Sequence, residues 1–142
     1  MQPIRILLVE DDPGHALLIE KNLRRSGLVM EIDHFRDGQS IVDYLTVAAD
    51  NLTGHACPVI FLDLNLPAMD GYQVLKTIKT AERTRKIPIV VLTTTDMPQE
   101  ITKCYELGCN LFITKPVQYE EFCRTIYNLG QLLSFTKIPL NN

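Results

Sequence analysis

The stretch Ile4-Arg5-Ile6-Leu7-Leu8-Val9-Glu10-Asp11-Asp12-Pro13 decides the fold. Its first six residues are nearly all apolar, and the run ends abruptly in acid. A strand with one wet face alternates apolar and polar residues, so a continuous apolar run predicts a parallel strand buried on both faces. Asp12 ahead of Pro13 then marks a helix start, a capping carboxylate followed by proline at the first helical position. The helix is predicted over about 13 to 26, with Ala16, Leu17, Ile19 and Leu23 on its apolar face and Gly27 as its stop.

The same unit recurs down the chain. Met30 to Phe35 alternates as an edge strand does, and Asp37-Gly38 turns into a helix carrying Ile41, Val42 and Leu45 inward. After a longer loop, about Asp50 to Cys57, the run Val59-Ile60-Phe61-Leu62 is again a buried strand closed by an aspartate, Asp63. Pro67 to Gly71 forms a turn before a helix that buries Val74, Leu75 and Ile78. Ile87 to Leu92 reads as a fourth strand, Asp96 and Pro98 open a helix ending at Gly108, and Leu111-Phe112-Ile113 is a fifth strand. A last helix starts near Tyr119, where Phe122, Ile126, Leu129 and Leu133 make an apolar stripe. Strands and helices in alternation specify a doubly wound α/β sandwich of three layers, because right-handed crossovers place helices on both faces of a parallel sheet.

Composition bounds the function. A chain of 142 residues, 46% hydrophobic and 22% charged, is one domain with a real core. Its 14 basic and 17 acidic residues, a formal charge of −3, provide no reason to expect direct nucleic-acid binding. No stretch approaches the ~20 apolar residues of a membrane span, and the N-terminus lacks a signal-peptide arrangement, so a cytoplasmic location is expected. Cys57, Cys104, Cys109 and Cys123 lack metal or disulfide spacing and read as reduced thiols, while His15, His34 and His55 read as scattered surface residues.

The chemistry gathers at strand ends. Glu10 and Asp11 close the first strand and Asp63 the third. In an open parallel sheet of order 2-1-3-4-5 these two strands are neighbours, and ligands bind beyond their carboxyl ends, where the strand order reverses. Like charges held close raise one another's pKa or require a cation, and hard oxygen donors suit Mg²⁺. Helix capping is the competing reading; it accounts for Asp12 but leaves three further acids over. Thr93-Thr94-Thr95 and Lys115 reach the same edge. Lys115 reads either as a simple salt bridge or, with Thr93, as a holder of phosphoryl oxygens on Asp63.

Leu7-Leu8-Val9-Glu10-Asp11-Asp12, Val59 to Pro67 with Met69-Asp70-Gly71, Val91-Leu92-Thr93 and Thr114-Lys115-Pro116 resemble the response-regulator receiver domains of bacterial two-component phosphorelays. The four blocks occur in family order, and the resemblance covers roughly residues 3 to 134, leaving 135–142 as a C-terminal tail. It implies a flavodoxin-like fold, with Asp63 as the phosphoacceptor fed by a sensor histidine kinase. Asp11 would be a direct Mg²⁺ ligand, Glu10 would hold the metal through water, and Asn65 would lend its backbone carbonyl. Thr93 and Lys115 would bind phosphoryl oxygens, and the Lys115–Pro116 peptide would be cis.

Thr93 and Phe112 occupy the family's switch positions, which remodel the face formed by the fourth helix, fifth strand and fifth helix. That face is the expected surface for a downstream protein partner and for a homodimer. Phe112 lacks a tyrosine hydroxyl, and a plain core role is its alternative reading. Thr94 stands where the family usually has alanine, which narrows access to the site. The long loop, the Asp-Leu-Asn-Leu-Pro block, the triple threonine and the tail residues Ile138-Pro139-Leu140 resemble the single-domain regulators paired with phytochrome-type histidine kinases.

Other classes fit less well. Aspartyl-phosphate hydrolases resemble Asp-x-Asp, and position 65 is Asn. Neither a G-x-G-x-x-G nor a G-x-x-x-x-G-K-[ST] motif is present. The strongest rival is a receiver-like scaffold that binds partners without being phosphorylated. With Asn142 as its last residue and no recognisable output domain, the chain reads as a free-standing relay rather than an enzyme, its own chemistry confined to phosphoryl transfer onto Asp63 and slow autodephosphorylation.

Overall fold

In the computed structural model, which describes residues 3–48 and 57–137, the opening apolar run forms β1 (Ile4–Val9) and the segment after it forms α1 (Pro13–Arg25). There follow β2 (Met30–Phe35), α2 (Gly38–Ala48), β3 (Val59–Leu62), α3 (Gly71–Thr80), β4 (Ile89–Thr93), α4 (Pro98–Glu106), β5 (Leu111–Thr114) and α5 (Tyr119–Phe135). The strands pair in parallel in the order β2-β1-β3-β4-β5, the doubly wound arrangement expected from the alternation.

Side chains alternate across a strand, and here the alternation sorts the core into two layers. Leu7, Val9, Ile60, Leu62, Ile89 and Val91 pack on one face with Ile41 and Leu45 of α2, Val74, Leu75 and Ile78 of α3, and Cys104 of α4. Ile6, Leu8, Val59, Phe61, Val90 and Leu92 pack on the other with Ala16, Ile19 and Leu23 of α1 and with the α5 stripe Phe122, Ile126, Leu129 and Leu133. Burial on both faces explains why β1, β3 and β4 could not alternate in sequence.

The register carries this order to the site. Val9 pairs with Leu62, and Leu62 with Val91, so β1, β3 and β4 finish almost level. The ladder continues one residue further, because Asp63 N donates to Val9 O at 3.0 Å and Lys115 N to Thr93 O at 2.6 Å. Helix starts are fixed locally. Asp12 Oδ1 accepts from Gly14 N and His15 N at 2.8 and 3.2 Å, and Asp70 with Gln73 forms a reciprocal capping box on α3.

Boundaries differ from expectation at three places, one being β5, which runs on through Thr114. β4 starts at Ile89 and includes Thr93; Pro88 has no N–H to give the ladder, although its carbonyl accepts from Ile60 N. The α4 cap is Met97, with no side-chain capping bond, and not Asp96; Pro98 at the first position sets the start. The loop expected from about Asp50, His55 within it, and the tail triplet Ile138-Pro139-Leu140 lie outside the described residues.

Gly71 opens α3 against the turn that follows β3. A Cβ there would sit 2.4 Å from Leu64 Cα and 2.6 Å from Asp63 O, backbone atoms held by the sheet. Gly71→Ala is therefore expected to cost about 2–3 kcal/mol through overpacking, read as a lower urea midpoint at unchanged slope.

Candidate functional site

The carboxyl edge of the sheet collects Glu10, Asp11, Asp63, Thr93 and Lys115, as the strand-end reading required. Glu10, Asp63, Thr93 and Lys115 are buried there, while Asp11 is exposed. Carboxylate oxygens of Glu10, Asp11 and Asp63 lie within 4.8 Å of one another. Lys115 Nζ donates to Glu10 Oε1 in a very short contact and to Asp63 Oδ2 at 3.1 Å. Thr93 Oγ1 donates to Asp63 Oδ1 at 2.9 Å, and Asn65 N donates to the same oxygen at 3.1 Å.

The electrostatics follow from burial and from this wiring. Burial pushes the Glu10 carboxyl up to about 7; the hydrogen bond shared with Asp63 adds to the rise and Lys115 opposes it. Burial also pushes Asp63 upward, but Glu10, the Lys115 charge, the Asn65 amide and the Thr93 hydroxyl together outweigh it, so Asp63 titrates below the ordinary carboxylate range. Asp63 is thus the carboxylate held ionised, and Glu10 the one that shares a proton. One ammonium among three acids leaves negative charge uncompensated, and the hard oxygen donors fit a divalent cation of the Mg²⁺ kind.

One expectation is corrected. The Lys115–Pro116 peptide is trans, since no described peptide bond is cis. In this conformation Lys115 N continues the ladder to Thr93 O while Nζ reaches both carboxylates. An X–Pro bond intrinsically prefers trans by roughly 0.5–1 kcal/mol.

The flanking residues are also placed. Thr94 Oγ1 accepts from Asn65 Nδ2 at 3.3 Å, so the two side chains meet beside the acids. Phe112 is half-buried against the α2–α4 core layer, and its backbone N donates to Tyr105 Oη at 3.1 Å. Two of the histidines are not idle surface groups. His15 Nδ1 lies 3.0 Å from Lys115 Nζ, and His34 Nε2 lies 2.7 Å from Glu10 O. The signal for His15 was positional: it stands three residues after the capping Asp12, in the helical turn that faces the sheet edge.

Residues 6–127 match the response regulator receiver domain family. The chain belongs to that family. A response regulator receiver domain from Rhodospirillum rubrum is 46% identical, with a TM-score of 0.91 over 98% of this chain and 99% of that one. A probable methanogenesis regulatory protein, FilR2 of Methanothrix harundinacea, is 40% identical over 91% of this chain and 83% of its own length. Two further receiver structures, each 32% identical with a TM-score of 0.86, are the Mn²⁺-bound form of Rcp1, over 96% and 99% of the two chains, and the phosphorylated cyanobacterial phytochrome response regulator RcpA, over 97% and 99%. As a receiver, this protein is a phosphoacceptor of two-component signalling. Among its described residues no helix is long and apolar enough to cross a membrane.

The raised Glu10 carboxyl has a sign that can be checked. A folded-state value of about 7 against the ordinary 4.5 means that the folded receiver binds the extra proton in that window. Stability without metal therefore falls as pH rises from about 4.5 through about 7. Thermal melts in EDTA are expected to show this decline, and Glu10→Gln to remove it.

Proposed function

We propose that this receiver accepts a phosphoryl group on Asp63 from a sensor histidine kinase. The observation that carries the reading is the convergence on one carboxylate. Asp63 receives the Thr93 hydroxyl, the Asn65 amide and the Lys115 ammonium while lying within 4.8 Å of two other acids. In the transfer, an Asp63 oxygen attacks phosphorus, the bond from phosphorus to the donor imidazole nitrogen breaks, and the imidazole leaves with that electron pair and takes up a proton. An acyl phosphate remains on Asp63. Its new oxygens require donors, and Lys115 and Thr93 are within reach because both already hydrogen-bond Asp63.

Glu10, Asp11, Asp63 and the Asn65 backbone carbonyl would hold Mg²⁺, which when bound neutralises the charge gathered on the carboxylates and the phosphoryl oxygens. Manganese in the related Rcp1 structure supports a divalent cation of that size. Likeness to the phytochrome response regulator RcpA supports a phytochrome-type kinase as donor. Loss of the Thr93 contact to Asp63 on phosphorylation would free Thr93 to move, with Phe112 as the responding aromatic on the α4–β5–α5 face. That face carries the exposed Tyr105 of α4, whose hydroxyl accepts from Phe112 N of β5, a surface for a downstream protein or a second copy of the receiver. The receiver transmits the signal by a change of shape.

Incubation with acetyl phosphate and Mg²⁺ is expected to add one phosphoryl group to the intact mass, and Asp63→Asn or EDTA to abolish it. No adduct under any condition would favour an unphosphorylated scaffold. Thr94→Ala removes the side chain that meets Asn65 beside the acids, so a shorter phosphoryl lifetime is expected; an unchanged dephosphorylation rate would refute that role.

A further inference from the structure

A lysine ammonium has three N–H donors and no acceptor. Two of the Lys115 donors go to Glu10 and Asp63, both of them acids of the proposed metal and phosphoryl site. The third points at His15 Nδ1, 3.0 Å away, a partner that is neither an acid nor part of that site. His15 is itself held in place: its backbone N is capped by Asp12 Oδ1 and its ring lies 5.4 Å from the Phe122 ring of α5, while Asp12 Oδ2, 3.8 Å from Nδ1, is beyond hydrogen-bond distance. Because the ammonium can only donate, Nδ1 must carry the lone pair and the ring proton must sit on Nε2.

We infer that His15 is a positioning residue for phosphoryl transfer: as a neutral acceptor it anchors the third proton of Lys115 and keeps the ammonium aimed at Asp63. The inference rests on the proposed role of Lys115 as a phosphoryl-oxygen donor. In the resting site the two acids hold the ammonium between them. Once metal and phosphoryl oxygens engage Glu10 and Asp63, both of those contacts rearrange, and His15 is the partner that stays. Without it the ammonium follows whichever acid is free, and the geometry needed at phosphorus is populated less often. A planar guanidinium or a shorter cation would not meet three acceptors arriving from β1, β3 and α1.

The wild-type receiver tests the contact without any phosphodonor. Long-range ¹H–¹⁵N correlation, at a pH where the ring is neutral, is expected to show His15 protonated on Nε2; a proton on Nδ1 would overturn the inference. The second arm measures acetyl-phosphate phosphorylation at saturating Mg²⁺. His15→Leu, which keeps an apolar side chain against Phe122, is expected to slow the reaction roughly fivefold, the factor for one lost hydrogen bond. Mg²⁺ affinity should not change. His15→Gln, which restores an acceptor oxygen, is expected to recover most of the rate. Equal rates for wild type and His15→Leu, or a Gln variant as slow as the Leu variant, would sink the proposal. Should wild type itself take no phosphoryl group, the reading of Asp63 and Lys115 fails, while the tautomer still decides whether His15 holds Lys115.

Discussion

Lys115 brings a single positive charge to a place where Glu10 and Asp63 are almost entirely removed from water. Two buried carboxylates side by side would both be driven to the neutral form, and a neutral aspartic acid is a poor nucleophile. The ammonium changes the outcome unequally. It approaches both acids, but Asp63 also has the Thr93 hydroxyl and the Asn65 amide, so the charge settles on Asp63 and the proton near Glu10. Every other feature of the site presupposes this division. Removing one partner of such a buried set typically costs about 3–5 kcal/mol, since the remaining charge is stranded.

The sheet supplies the precision this division requires. Lys115, Thr93 and Asp63 come from three adjacent strands, and backbone hydrogen bonds running past the formal strand ends tie Lys115 to Thr93 and Asp63 to Val9. A slip of one residue in any strand would send these side chains to the wrong face. Gly71 contributes from behind, because the backbone after Asp63 can pass the start of α3 only where no Cβ intervenes.

Much of this was legible in the sequence, and the reasons are physical. Continuous apolar runs this short, rich in β-branched residues and closed by turn signals, read as strands covered on both sides, so β1 and β3 and their acid ends were readable, and the strand order then brought Glu10, Asp11 and Asp63 together. Thr93 and Lys115 followed from the same edge argument. What escaped were contacts that depend on where a side chain on another element points. His15 joins Lys115 through the turn of α1, His34 reaches the Glu10 carbonyl from β2, and Tyr105 reaches Phe112 N from α4. The isomer of the Lys115–Pro116 bond also escaped, because so small an energy separates the two forms that sequence type does not settle it.

The Tyr105 contact bears on how the molecule avoids sticking to itself. β5 is an edge strand, and an edge strand with open amides is a template on which foreign strands can add and fibrils can grow. Here the outward amide of Phe112 is already spoken for by a phenol from the neighbouring helix, the strand is only four residues long, and Pro116 follows close behind. The opposite edge, β2, is guarded differently, by Glu31, Asp33 and His34 along its length. Tyr105 is therefore a colloidal safeguard as well as a surface aromatic, and any rearrangement that draws α4 away from β5 also uncovers an adhesive margin of the sheet.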